Sequence, residues 1–294
     1  MLSSCAVTLT ASGALLLLLI SAPGYLTQRG FPLDDAWIHA AYGRSLARSG
    51  ILGFNDGEPA TGETSPLWAG VVALPHLLTE DTPKVVVSIK IIGFVMHVAT
   101  AVLMLLAFTN STNERWFSAV GAASVAASPD LVAAAMSGME VPLATLCLAT
   151  LLWGLQQGRN GVVAFCAFVA PLIRPELVIV VLGLSLLGPG RGARWQSVVS
   201  GASGLCVGLA GLCALNWWVS GRPLPATFYA KVTSFPLLAS QYTGFTALLD
   251  QFPVVGSQWL LALCLGVIVW RTARGRDRLR LPAATFVAGL LFCA

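Results

Sequence analysis

Two carboxylates stand side by side at Asp34 and Asp35, heading the string Asp34-Asp35-Ala-Trp-Ile-His-Ala-Ala-Tyr42. Adjacent acids repel one another unless a cation or an arginine intervenes, and such a pair suits three tasks. It can act as a general base on a hydroxyl, or hold a divalent cation such as magnesium, manganese or calcium. It can also cap a helix and offset its dipole, an effect of about 1 kcal/mol. Spacing alone leaves these open. Further candidates are scattered: His39, one turn past Asp35; Glu140 in Ser137-Gly-Met-Glu140; Arg174 and Glu176 around Pro175; and Tyr229 and Lys231 in Leu224-Pro-Ala-Thr-Phe-Tyr-Ala-Lys231. Arg174 and Lys231 suit a phosphate, against the plainer readings of a snorkelling arginine and a solvated lysine. Glu140 and Glu176 could hold those cations or an acceptor, or cap helices. His39 reads as a polar residue at an interface rather than a base, and His76 and His97 as structural.

The first of these groups needs a helix to position it. Asp34 or Asp35 can cap one and Gly50 can end it. Trp37, Ile38, Ala41, Tyr42 and Leu46 recur at three- and four-residue spacing as an apolar face, with Arg44 and Arg48 on another. The spacing predicts an amphipathic helix resting at a lipid–water interface.

Around it the chain is apolar almost throughout. Of 294 residues, 56% are hydrophobic and 10% charged, against roughly 25% charged in an average soluble domain. So few charges cannot cover a soluble surface of this size, whereas a bilayer hides apolar area. The net charge of +4, without a basic face interleaved with aromatics, argues against nucleic acid. Seven cysteines lie in apolar stretches without CxxC or Cys/His spacing, which suits packing rather than zinc or disulfides.

Membrane spans are expected over 4–26, 85–108, 116–135, 139–156, 196–219 and 256–270. The stretch 161–188 is too long for one span, and Arg174-Pro175-Glu176 divides it into 161–173 and 176–188. A last apolar run from Leu281 to Ala294 is too short to cross, so the chain is expected to be a piece of a longer protein. The arginine-rich loop Arg271–Arg280 is expected inside by the positive-inside rule. Counting back then places the long first loop 27–84, Ser137–Glu140, Arg174–Glu176 and 220–255 together outside. Nearly all the acids fall there, with only Glu114 and Asp277 inside. Ser65–Leu78, apolar but short, is expected to be re-entrant or juxtamembrane.

The opening string, together with Gly53-Phe-Asn-Asp-Gly-Glu-Pro59 and Thr64-Ser-Pro-Leu-Trp68, resembles the first periplasmic loop of GT-C membrane glycosyltransferases. The likeness is greatest to the bacterial branch of terminal arabinofuranosyltransferases and related mannosyltransferases. Ser137–Glu140, Arg174–Glu176 and Leu224–Lys231 resemble later pieces of the same group, so the likeness runs in order from residue 31 to 231. It implies an all-α polytopic transmembrane bundle of GT-C type over 1–294, whose outer first loop, 27–84, carries juxtamembrane helices. It implies inverting transfer of a sugar from a polyprenyl-phosphate donor to a glycan or lipid acceptor outside the bacterial cytoplasmic membrane. Asp34 or Asp35 would be the base, Asp34 slightly preferred, with Arg174 and Lys231 on the donor phosphate. Glu140, Glu176, Tyr42, Tyr229 and His39 would bind or support substrate, and a divalent cation could sit on Asp34 and Asp35. The sequence departs from that pattern at Ala41, Glu63 and Ala226, where relatives carry an arginine, an aromatic and an asparagine. The alternatives are a transporter or lipid flippase, or a silent or truncated homologue.

Overall fold

The computed structural model describes residues 30–111, 115–186 and 191–230. The expected spans at 4–26 and 256–270, the loop Arg271–Arg280, the run from Leu281 and Lys231 lie outside them. Among the described residues the regular structure is entirely helical. In chain order the helices are α1 (Asp34–Ser49), α2 (Pro66–Leu78), α3 (Thr82–Ser111), α4 (Arg115–Ala126), α5 (Pro129–Met136), α6 (Val141–Gln156), α7 (Asn160–Ile173), α8 (Leu177–Leu186) and α9 (Arg191–Ser220).

The first loop therefore carries two helices. Gly50 ends α1 in the left-handed conformation, φ 70°, its N–H donating to the Leu46 carbonyl at 3.0 Å. Its start differs from expectation. Leu33 is the N-cap, and Asp34 and Asp35 lie in the first helical turn without capping it. The helix also has a face buried inside the protein. It comprises Ala36, His39, Ala40, Tyr42, Gly43 and Ser45, while Trp37 and Ile38 are exposed. Small residues win that face because α1 lies close against α2: a Cβ on Gly43 would stand 2.7 Å from the Val72 side chain.

Proline and serine punctuate the rest. The span expected over 116–135 is broken instead at Ala127–Ser128, giving α4 and α5. Pro129 drives the residue before it out of helical geometry, and Ser128 sits at ψ 116°, its side chain accepting from the Leu131 N–H. Pro175 acts likewise on Arg174 (φ −153°, ψ 131°), separating α7 from α8 as expected.

Three apolar clusters hold the described bundle together, the smallest of them packing Ala101 of α3 against Ala126 of α4 and Val132 of α5. Two bear on the site. One joins Leu148, Leu151 and Leu155 of α6 to Val163 and Ile173 of α7 and Leu177 and Val181 of α8. The other packs Phe31 and Ala36 against Trp68, Val72, Val85 and Ile89, fixing the first loop to the top of α3. Among the described residues, two helices, over Thr82–Ala107 and Trp195–Ser220, are long and apolar enough to cross a membrane, with mean hydropathy of 2.2 and 1.9. Only 39% and 28% of their apolar windows are buried inside the protein.

Candidate active site

Three breaks between helices and the first loop bring the site together. The turn after α5 is shaped by Gly138, at φ 85°, where any Cβ would press into the Phe31 ring. Its carbonyl accepts from the Trp68 indole N–H at 2.9 Å, tying the Ser137–Glu140 turn to α2. Glu140, at the N-cap of α6, makes no side-chain capping bond and turns its carboxylate towards α1 and Arg174.

There it meets His39. The imidazole is buried and stands between two carboxylates: Nδ1 lies 2.8 Å from Glu63 Oε1, and Nε2 lies 3.0 Å from Glu140 Oε2. The Glu140 contact is an ion pair off the ideal hydrogen-bond line, since Oε2 has no well-aligned donor, whereas Glu63 Oε2 and Nδ1 form a hydrogen bond at 3.0 Å. Glu63 Oε1 also accepts the Ser65 backbone N–H at 2.8 Å. On the far side, Glu140 Oε1 pairs with Arg174 Nε at 3.2 Å, and Glu176 reaches the same Nε at 3.8 Å. Glu63, His39, Glu140 and Arg174 thus form one chain of alternating charge.

The electrostatics follow from that alternation. Burial works against the charged imidazole, but its close contacts with Glu140 and Glu63, and their charge, outweigh it and push the His39 pKa up to about 9. Burial tends to raise the Glu140 carboxyl, yet the His39 contact, with help from Glu140's own backbone and from Arg174, holds it below the usual range. At neutral pH His39 is therefore an imidazolium between two carboxylates. An imidazolium with both nitrogens occupied cannot remove a proton from a substrate. His39 instead ties the Glu63 loop to the Glu140 turn, and the reading of it as an interfacial polar group is corrected by its burial.

The remaining candidates fall around this chain. Tyr42 is buried on α1; its hydroxyl accepts the Gly62 N–H at 2.9 Å, and burial pushes its phenol up. The Ala226 N–H donates to the Thr61 carbonyl at 2.9 Å, joining the segment that holds Tyr229 to the loop that holds Glu63. Tyr229 itself is half-buried under the Arg222 guanidinium, 5.2 Å from its ring centre. Arg174 keeps 38% of its side chain exposed, and Glu176 is more open still. Asp34 and Asp35 are exposed, with no hydrogen-bond or ion-pair partner among the described residues. Asp35 lies four residues before His39, on the same side of α1. No group of three or more His, Cys, Asp or Glu is poised to hold a metal among the described residues.

Sequence reasoning missed Glu63 as a site residue and did not foresee Trp68 as a strut. One signal was present: His39 shares the 3.6-residue register of Ala36, Ala40 and Gly43, small residues that mark a closely packed face.

In comparisons with known proteins, no protein-family model, no curated protein and no solved structure matches this chain. The chemistry of the site rests on its own geometry.

Proposed function

We propose that this chain is an integral membrane glycosyltransferase of GT-C type, moving a sugar from a polyprenyl-phosphate donor to an extracytoplasmic glycan or lipid with inversion. The observation that carries the reading is convergence. The four segments that resemble that group are joined to one another by the contacts of His39, Glu140, Arg174, Trp68 and Ala226. The membrane reading draws support from α3 and α9. A soluble core helix buries most of its apolar surface, whereas these two leave most of theirs outward, fit for lipid. Trp195 and Trp217–Trp218 are exposed near the two ends of α9, roughly 33 Å apart at 1.5 Å per residue, as two interface belts would be.

In this reading the buried His39, Glu63 and Glu140 are scaffold, and the exposed carboxylates with the half-open Arg174 are chemistry. An inverting displacement needs one base on the acceptor hydroxyl and charge stabilisation for the departing phosphate. Asp35 is the better placed of the pair for the base, because it stands one turn above His39 on the same side of α1. Arg174, steadied through Nε, offers the open part of its guanidinium to phosphate. Asp34 and Asp35 together offer hard oxygen ligands to a divalent cation, which would add positive charge beside that phosphate.

The test is transfer from radiolabelled polyprenyl-phosphate sugars by the purified chain, with and without chelator. Asp35→Asn is expected to reduce turnover by about 100-fold or more, the scale of losing a general base, while leaving the fold intact. No transfer by the parent chain would sink the reading and favour a transporter or flippase, and full transfer by an Asp34→Asn/Asp35→Asn double variant would remove the aspartates as the base.

A further inference from the structure

The opposite side of α1 carries a second feature. A cavity of about 160 Å³ opens between α1, the end of α2 and the first turns of α3. On α1 it is lined by a single stripe, Trp37, Ala40, Ala41, Arg44 and Arg48. At about 100° per residue, His39 projects roughly opposite to that stripe, so the cavity is separate from the buried charge chain.

Its lining mixes two chemistries. Phe31, Trp37, Val85 and Val86 are apolar, Arg44, Arg48 and His76 are basic or potentially so, and Glu80 is the one carboxylate in the lining. The arginines are tied loosely. Arg44 Nε is 3.5 Å from Asp56, and Arg48 spans Asp56 at 3.0 Å and Glu80 at 3.4 Å, all of these pairs being partly exposed. Exposed ion pairs of this kind hold weakly and exchange readily for a better anion. His76 adds an independent pointer: its Nε2 is buried and has no hydrogen-bond partner. Burial, with the Arg44 charge, holds that imidazole below its ordinary pKa, and an anion in the cavity would reverse the effect of the arginine and allow Nε2 to donate.

Size and position narrow the ligand. A volume of about 160 Å³ is below the roughly 300 Å³ of the smaller ordinary ligand pockets. A single phosphate and the first atoms of its substituent fit; a nucleotide does not. The elements at the mouth carry exposed apolar side chains, Trp37 on α1 and Leu77 and Leu78 at the end of α2. The long apolar helix α3 begins at the same place, at Thr82.

We infer that this cavity holds the phosphate head of a membrane lipid, with Arg44 and Arg48 as its cationic ligands and Trp37, Val85 and Val86 against the first apolar atoms of the tail. The site requires no sugar and neither Asp34 nor Asp35, so it stands or falls apart from the transferase reading.

The full chain in dodecyl maltoside, titrated with dioctanoyl phosphatidic acid and followed by native mass spectrometry, tests it. Dioctanoylglycerol, which lacks the phosphate, and inorganic phosphate, which lacks the tail, are the comparison probes. Phosphatidic acid is expected to bind at least about tenfold more tightly than either. Arg44→Gln/Arg48→Gln should weaken it at least about tenfold. Ala41→Leu, which adds volume without touching a charge, should do the same even if the arginine variant folds poorly. Equal affinity for dioctanoylglycerol would remove the arginines from the explanation, and equal affinity for inorganic phosphate would reduce the site to a plain anion site. Undiminished binding in Ala41→Leu would place the lipid elsewhere. Any of these three results overturns the inference.

Discussion

The inward side of α1 holds His39 between Glu63 and Glu140, at 2.8 and 3.0 Å, while the first turn of the same helix leaves Asp34 and Asp35 open to solvent. Both are charged groups within six residues of chain, yet they face opposite demands. A buried charge must be neutralised on the spot, because an uncompensated one is too costly to keep. Once neutralised, it has no free valence for a substrate. An exposed carboxylate costs little to keep and can meet whatever arrives. The inner group therefore specifies which loops come together, and the outer group is left available for chemistry.

The sharpest way to break that contrast is Glu140→Gln. It removes one negative charge from a buried imidazolium, and the half-exposed Arg174 contributes far less to the loss than His39 does. Breaking a buried pair from one side costs about 4 kcal/mol. Thermal unfolding in detergent should show a large fall in Tm, and Glu140→Gln/His39→Gln should lose less than the sum of the single variants. Strict additivity would mean that the two side chains are not coupled.

The second test uses pH. The folded His39 pKa of about 9 lies above its ordinary 6.5, so the folded state binds the proton more tightly than the unfolded chain. That contribution is complete below pH 6.5 and disappears as pH rises through about 9. Its upper size is about 3 kcal/mol, from 1.36 kcal/mol per pH unit. Glu140 works the other way: its lowered pKa adds stability above the ordinary carboxylate range and loses it on acidification. Stability should therefore decline on the alkaline side between pH 7 and 9.5, and His39→Gln should flatten that limb. A parent protein equally stable at pH 7 and 9.5 would contradict the paired imidazolium.

A smaller effect is expected at Gly138, which holds the Glu140 turn open. Gly138→Ala puts a side chain at φ 85° and against the Phe31 ring, costing about 2 kcal/mol. If the turn exists to aim Glu140, this variant should also shift the alkaline limb of the stability profile. A purely steric cost would lower Tm equally at every pH.

How much of this was legible beforehand follows from how local each signal is. The end of α1 at Gly50 and the break at Pro175 are each carried by one residue, and both are found where the sequence puts them. Pro129 carried the same signal, but it sits in an unbroken apolar run, and hydropathy over 116–135 masked it. Of the apolar face assigned to α1, Trp37 and Ile38 stay exposed and Tyr42 is buried, and the close packing on α2 selects small residues such as Gly43, which hydropathy does not flag. The charge chain was the least legible. Its members lie at 39, 63, 140 and 174, and no window contains more than one pair of them. Glu63 stood out only as a departure from a resemblance, and it turns out to be one of the two carboxylates that hold His39.

The smallest effect sharpens the comparison most. Asp34→Asn and Asp35→Asn remove exposed charges without partners among the described residues, so each should change stability by less than about 0.5 kcal/mol. What remains for them structurally is the helix dipole, to which two acids in the first turn of α1 contribute a few tenths of a kcal/mol each. Unfolding midpoints within a degree or two of the parent, at both pH 6 and pH 8, would fit a pair kept for a substrate. A loss comparable to that of Glu140→Gln would mean that the aspartates are held by the fold after all, and the division of α1 into scaffold and chemistry would fail at its outer half.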